Sequence, residues 1–164
     1  MRRLLVPVLL VALGLTGCSG SGSGGGGSAK SAYLAKAEAA CTKANADLAA
    51  LKKSPPTSVA GVPAYVHRIV DVARGTVSTL TGLIPPAADA TALKAKLSDP
   101  LAAQLRTADS YAAKVDAAAA AKDQSALLQL VTHPPTRTEV DLAFLRSYGF
   151  SSCVRAADTA NATK

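Results

Sequence analysis

Three cysteines, Cys18, Cys41 and Cys153, and two histidines, His67 and His133, stand out as side chains able to react or to ligate. A thiol can be acylated, oxidised to a disulfide or bound to a metal, and an imidazole can serve as a base or a metal ligand. The surrounding spacing narrows this list. The chain has no Gly-x-Ser-x-Gly elbow, no His-Glu-x-x-His, no Cys-x-x-Cys and no phosphate-cradling glycine loop, so neither histidine is tied by a motif to a nucleophile. A non-enzymatic protein without a cofactor is expected. Both histidines read as lying near one end of a helical bundle, but no carboxylate or cysteine accompanies them at ligand spacing, and no metal site is expected.

The cysteines differ in setting. Cys18 follows Arg2 and Arg3, an apolar run from Leu4 to Leu15, and the small residues Thr16 and Gly17. That run is too short to span a bilayer and has the length of a signal h-region. The order of features, ending in Leu15-Thr16-Gly17-Cys18, resembles the lipobox of bacterial lipoproteins. The resemblance implies removal of residues 1–17, acylation of the Cys18 sulfur, and export to the outer face of the cell membrane. Three cysteines would otherwise leave an odd thiol in an oxidising compartment; with Cys18 acylated, Cys41 and Cys153 remain as a disulfide pair.

From Cys18 onward the chain has 147 residues, the size of one domain. Losing Arg2 and Arg3 leaves sixteen basic against eleven acidic residues, a net charge of +5. That excess is mild, and no nucleic-acid partner is expected. Large core residues are few, with no Trp and two Phe, so a core of Ala, Leu and Val should be modest and a covalent staple valuable. Residues 18–30 read as the lipidated cysteine and a tether. Its Gly/Ser-rich part, Ser19 to Ala29, would have a root-mean-square span of about 18 Å.

The remaining segment, residues 31–164, has helical periodicity and no strand signal. A first helix is expected from Ser31 to about Lys53, with Tyr33, Ala37, Cys41, Ala44, Leu48 and Leu51 on one face. A second opens at Pro63 and carries Val66, Ile69, Val70, Ala73, Val77 and Leu80. From Ala88 to Ala121 apolar residues keep phase through Ser98-Asp99-Pro100, which reads as a helix kinked at Pro100 or as a new helix capped by Ser98 or Asp99. A short helix covers Ser125 to Val131 and breaks at Pro134-Pro135. Thr136-Arg137-Thr138-Glu139 reads as a capping box for a last helix through Tyr148, with Gly149 in the left-handed stop position and Phe150 closing back on Leu145. The expected fold is all-α: an antiparallel, up-down bundle of about four main helices.

Tyr33, the Lys-Ala-Glu-Ala-Ala-Cys41 stretch with Asn45 after it, and Tyr148-Gly149-Phe150 before Cys153 are similar to small alanine-rich actinobacterial envelope proteins of uncharacterised function. The resemblance implies a compact exported helical domain and supplies no activity. The expected function is a monomeric, lipid-anchored binding or scaffolding module; the alternative is a small-ligand or metal carrier with a pocket between helices. An up-down topology would gather Lys52, Lys53, His67, Arg68, Lys122, His133 and Arg137 at the end away from the tether, as a candidate surface for an anionic envelope polymer or protein.

Overall fold

The computed structural model describes residues 25–135 and 140–155, and among these the only regular structure is helical. Helix α1 (Gly25–Lys52) is built from Ala, Lys, Glu and Leu, all strong helix formers. It begins earlier than Ser31, so the last six residues of the expected tether, Gly25 to Lys30, are helical; the packed body from Tyr33 onward supplies a turn from which helix propagates backward. Tyr33, Ala37 and Cys41 are buried as their spacing requires.

Helix α2 (Val62–Gly82) starts with Pro63 in its first turn and buries Val66, Val70 and Leu80. Ile69, expected on that face, is 37% exposed. It lies about 60° behind Val66 on the wheel, at the margin of a stripe centred on Val66, Val70 and Ala73.

Beyond the turn after α2, α3 (Ala90–Leu93) passes through a π-helical turn (Lys94–Ser98) directly into α4 (Asp99–Ala120). Neither Ser98 nor Asp99 caps a new helix, because both keep right-handed helical dihedrals. Pro100 therefore neither ends the helix nor starts it afresh. The ring would crowd the carbonyl four residues back, and the wider turn just ahead of it relieves that contact. The same turn serves packing. Leucines at strict four-residue spacing drift about 40° per step around an α-helix, and a wider turn between Leu93 and Leu97 brings both into the core, at 1% and 2% exposure.

Lys122 adopts a positive φ of 55° at the end of α4, and Asp123 then caps α5 (Gln124–Thr132) by accepting from the Ala126 amide at 2.9 Å. The expected Thr136–Glu139 box lies outside the described residues. The observed cap of α6 (Leu142–Tyr148) is Asp141, which accepts from the Phe144 amide at 2.8 Å, so the last helix is shorter than expected. Gly149 takes the left-handed position, at φ 115°, and the Phe150 amide returns to the Leu145 carbonyl at 2.9 Å, which is the expected Schellman closure.

Packing partners pair in reversed order along successive helices. Tyr65 reaches Leu51, His67 reaches Asp116, Arg74 reaches Asp109, and Tyr111 reaches Leu130. The directions of α1, α2, α4 and α5 therefore alternate. Helix α2 lies between α1 and α4, and α5 packs on α4. The apolar interior is consequently divided. One cluster joins Tyr33, Ala37 and Cys41 to Leu80, Leu93, Leu97 and the aromatic residues of the C-terminal segment; the other joins Val66 and Val70 to Val115, Ala118 and Leu127.

Candidate functional site

Cys41 and Cys153 form a disulfide with a Cα–Cα distance of 5.0 Å. Around it, α1 presents a row of polar side chains one turn apart. The Glu38 carboxylate accepts from the Ser151 amide at 2.8 Å, the Ser151 hydroxyl at 2.7 Å and the Ser152 amide at 2.7 Å. Thr42 donates to the Ser152 hydroxyl and Asn45 to the Ser152 carbonyl. Glu38, Thr42 and Asn45 are thus a latch, holding the segment after Gly149 across the middle of α1.

The expected basic end is only partly assembled. Cys18 and Arg137 lie outside the described residues. Lys52 and Lys53 are exposed at the end of α1, and Lys122 occupies the turn after α4. His67 is committed to Asp116, 2.9 Å away. Arg68, the seventh residue of α2 and so beyond its first turn, lies over the Tyr65 ring at 5.6 Å and shares a cleft with Asp47 and Asp71. His133 is elsewhere. Helix α5 runs back along α4 for nine residues, about 13 Å, and His133 at its end borders a groove that α4 lines from Ala103 to Lys114. The expectation had this segment begin a helix at the distal end; α5 instead turns there and carries His133 away, so the two histidines do not share a bundle end.

His133 helps to line an open groove of about 510 Å³ between α4 and α5. Arg106, Ser110 and Lys114 form one wall at four-residue spacing, with Leu130, His133 and Pro135 opposite and Thr107 and Tyr111 between. The hydroxyl hydrogens of Thr107 and Tyr111 are used within the fold, on the Ala103 and Leu130 carbonyls at 3.2 and 3.1 Å. His133 Nδ1 faces the Thr132 hydroxyl at 2.9 Å. Burial raises the Tyr111 pKa, so this phenol stays neutral at the groove floor.

Among the described residues no carboxylate lines this groove. Each described acidic residue has a partner elsewhere in the chain, as in Asp47 with Lys43, Asp71 and Asp109 with Arg74, Asp99 with Lys94, and Asp141 with Lys96. Asp89 accepts from the Tyr148 hydroxyl at 2.7 Å; burial of that ring, with this hydrogen bond second, raises the Tyr148 pKa. The described lining of the groove therefore presents N–H and O–H donors with positive charge and no competing anion. Such a wall recognises acceptor-only groups. Among the described residues no set of three His, Cys, Asp or Glu side chains converges to hold a metal.

The sequence expectations did not include Arg106, Ser110 or Lys114. Their signal was present as a polar stripe at four-residue spacing beside the apolar series Leu101, Leu105, Ala108, Ala112 and Val115. What the sequence lacked was the position of α5, which makes that stripe one wall of a groove. Comparison with family models, curated proteins and solved structures found no match to this chain.

Proposed function

We propose that the chain is a non-catalytic, lipid-anchored protein of the cell envelope that works as a monomer and holds an anionic envelope partner in the α4–α5 groove. The observation that carries the reading is the cationic, donor-rich wall of Arg106, Ser110 and Lys114 facing His133, in a domain whose described carboxylates are all engaged elsewhere. The lipobox-like residues before Cys18 supply the anchor in this reading and place the domain on the outer face of the membrane. The carrier alternative called for an enclosed apolar pocket, whereas the groove is open to solvent and lined by charge.

Two measurements test the reading. Wild-type protein should sediment with membranes and Cys18→Ser should not; equal recovery would remove the anchor. Wild-type protein should capture cell-envelope material at low salt and release it at high salt, and the Arg106→Gln/Lys114→Gln variant should lose most of that capture. Lys52→Gln/Lys53→Gln should retain it. Capture that ignores both salt and the groove substitutions would sink the binding site.

A further inference from the structure

We infer that the α4–α5 groove takes a linear chain of phosphate groups, and that the partner is a phosphate-bearing polymer rather than a carboxylate-bearing one. The inference rests on the groove being the partner site. Arg106, Ser110 and Lys114 succeed one another every four residues, so their Cα atoms climb α4 in steps of about 6 Å and span about 12 Å. A single small anion occupies one step of that ladder. A ligand with repeated charge occupies all three.

The middle step selects the chemistry. A carboxylate offers two oxygens in one plane, and an arginine fork takes both. Each phosphate within a chain has two non-bridging oxygens on a tetrahedral phosphorus, whose lone pairs are not confined to one plane, so an oxygen engaged by the arginine can also accept from the next donor along the wall. Ser110 is that donor: exposed, between the two cations, and on a groove wall without a carboxylate. The floor adds no rival donors, because Thr107 and Tyr111 spend their hydroxyl hydrogens on backbone carbonyls. A volume of about 510 Å³ accommodates a short phosphate chain, and the groove is open to solvent.

Position argues against a lipid headgroup as the source. Leu97 packs in the same cluster as Tyr33, near the start of α1 where the tether enters. Lys114 lies seventeen residues farther on, about 25 Å along the helix. The groove runs up the flank of the domain, while a membrane would meet its end.

The test uses the mature lipidated protein in a neutral detergent, with inorganic tripolyphosphate as probe and titration calorimetry as readout. Tripolyphosphate should bind, with affinity that falls as salt rises. Arg106→Gln/Lys114→Gln should weaken it at least tenfold, Ser110→Ala should weaken it several-fold, and Lys52→Gln/Lys53→Gln should leave it unchanged. A tetra-aspartate peptide should bind at least tenfold more weakly than tripolyphosphate. Vesicles containing phosphatidylglycerol should displace the probe no better than vesicles of phosphatidylcholine. Equal binding of tetra-aspartate, or no effect of Ser110→Ala, overturns the phosphate class, and displacement specific to phosphatidylglycerol overturns the polymer in favour of a lipid. Should envelope capture depend on Arg106 and Lys114 while tripolyphosphate fails to bind, the partner site stands and the phosphate inference falls. Should tripolyphosphate bind as described while envelope capture ignores those residues, the phosphate site stands and the envelope-partner reading falls.

Discussion

Glu38 gathers three hydrogen bonds from a segment more than a hundred residues away. Partial burial pulls its pKa upward, but the donations from Ser152 and Ser151 together outweigh that and leave it below the ordinary glutamate value. A carboxyl whose pKa falls on folding stabilises the fold above its unfolded pKa of about 4.3, and that contribution fades as pH drops through the lower folded value. Glu38→Gln should therefore cost about 1 to 2 kcal/mol at pH 7, and the gap between variant and wild type should narrow at pH 3. Urea denaturation at the two pH values checks both statements. Gly149 is the second residue with a defined penalty. At φ 115° a side chain is strained, and a Cβ there would lie 3.1 Å from Leu34 Cδ1, so Gly149→Ala should lose about 1 to 2 kcal/mol. Gly149 was legible from sequence because a helix stop is a local event. The partners of Glu38 were not, since nothing in the local pattern joins it to Ser151 and Ser152.

Among the helices, α2, α5 and the α6 stop follow from periodicity and punctuation, while the junction of α3 with α4 does not. Pro100 offered two readings, kink or restart. The helix runs on through Pro100, as the first reading had it, and a π turn lets the proline and four evenly spaced leucines coexist in it. Buried at the centre of that compromise, Leu97 should be costly to truncate: Leu97→Ala by about 2 to 5 kcal/mol, and Leu105→Ala, only half-buried, by less, both measured by denaturant midpoint. The start of α6 shows how two valid local signals compete. A hydroxyl-x-x-Glu box precedes Asp141, yet Asp141 has the additional support of Lys96 at 2.8 Å on the π turn, a contact that only the tertiary fold creates. That ion pair comes first, with the Phe144 amide second, in holding the Asp141 carboxyl below the usual aspartate range. Asp141→Ala should consequently lower the melting temperature at neutral pH and have little effect once acid has protonated the wild-type residue.

Across the whole molecule, α1, α2, α4 and α5 stack in alternating directions over two apolar clusters, and only one of those clusters is covalently braced. The Cys41–Cys153 bond closes 112 residues of sequence, for which loop-closure entropy gives about 4.7 kcal/mol of stabilisation. Denaturation with and without reductant should show a loss of that order. Hydrogen exchange after reduction should rise first in residues 144–155, whose remaining hold on α1 is the hydrogen-bonded row from Glu38 to Asn45 and the packing of Tyr148 and Phe150 on Tyr33. Exchange in α5, which belongs to the other cluster, should change later. The same bond alters what a protease can accomplish. The proline-marked turns after α1, α2 and α5 all lie within the closed loop, so one cut at any of them produces two fragments and still only one molecule. A nicked domain keeps its groove attached to whatever holds its N-terminus, and release requires a second cut or a reductant.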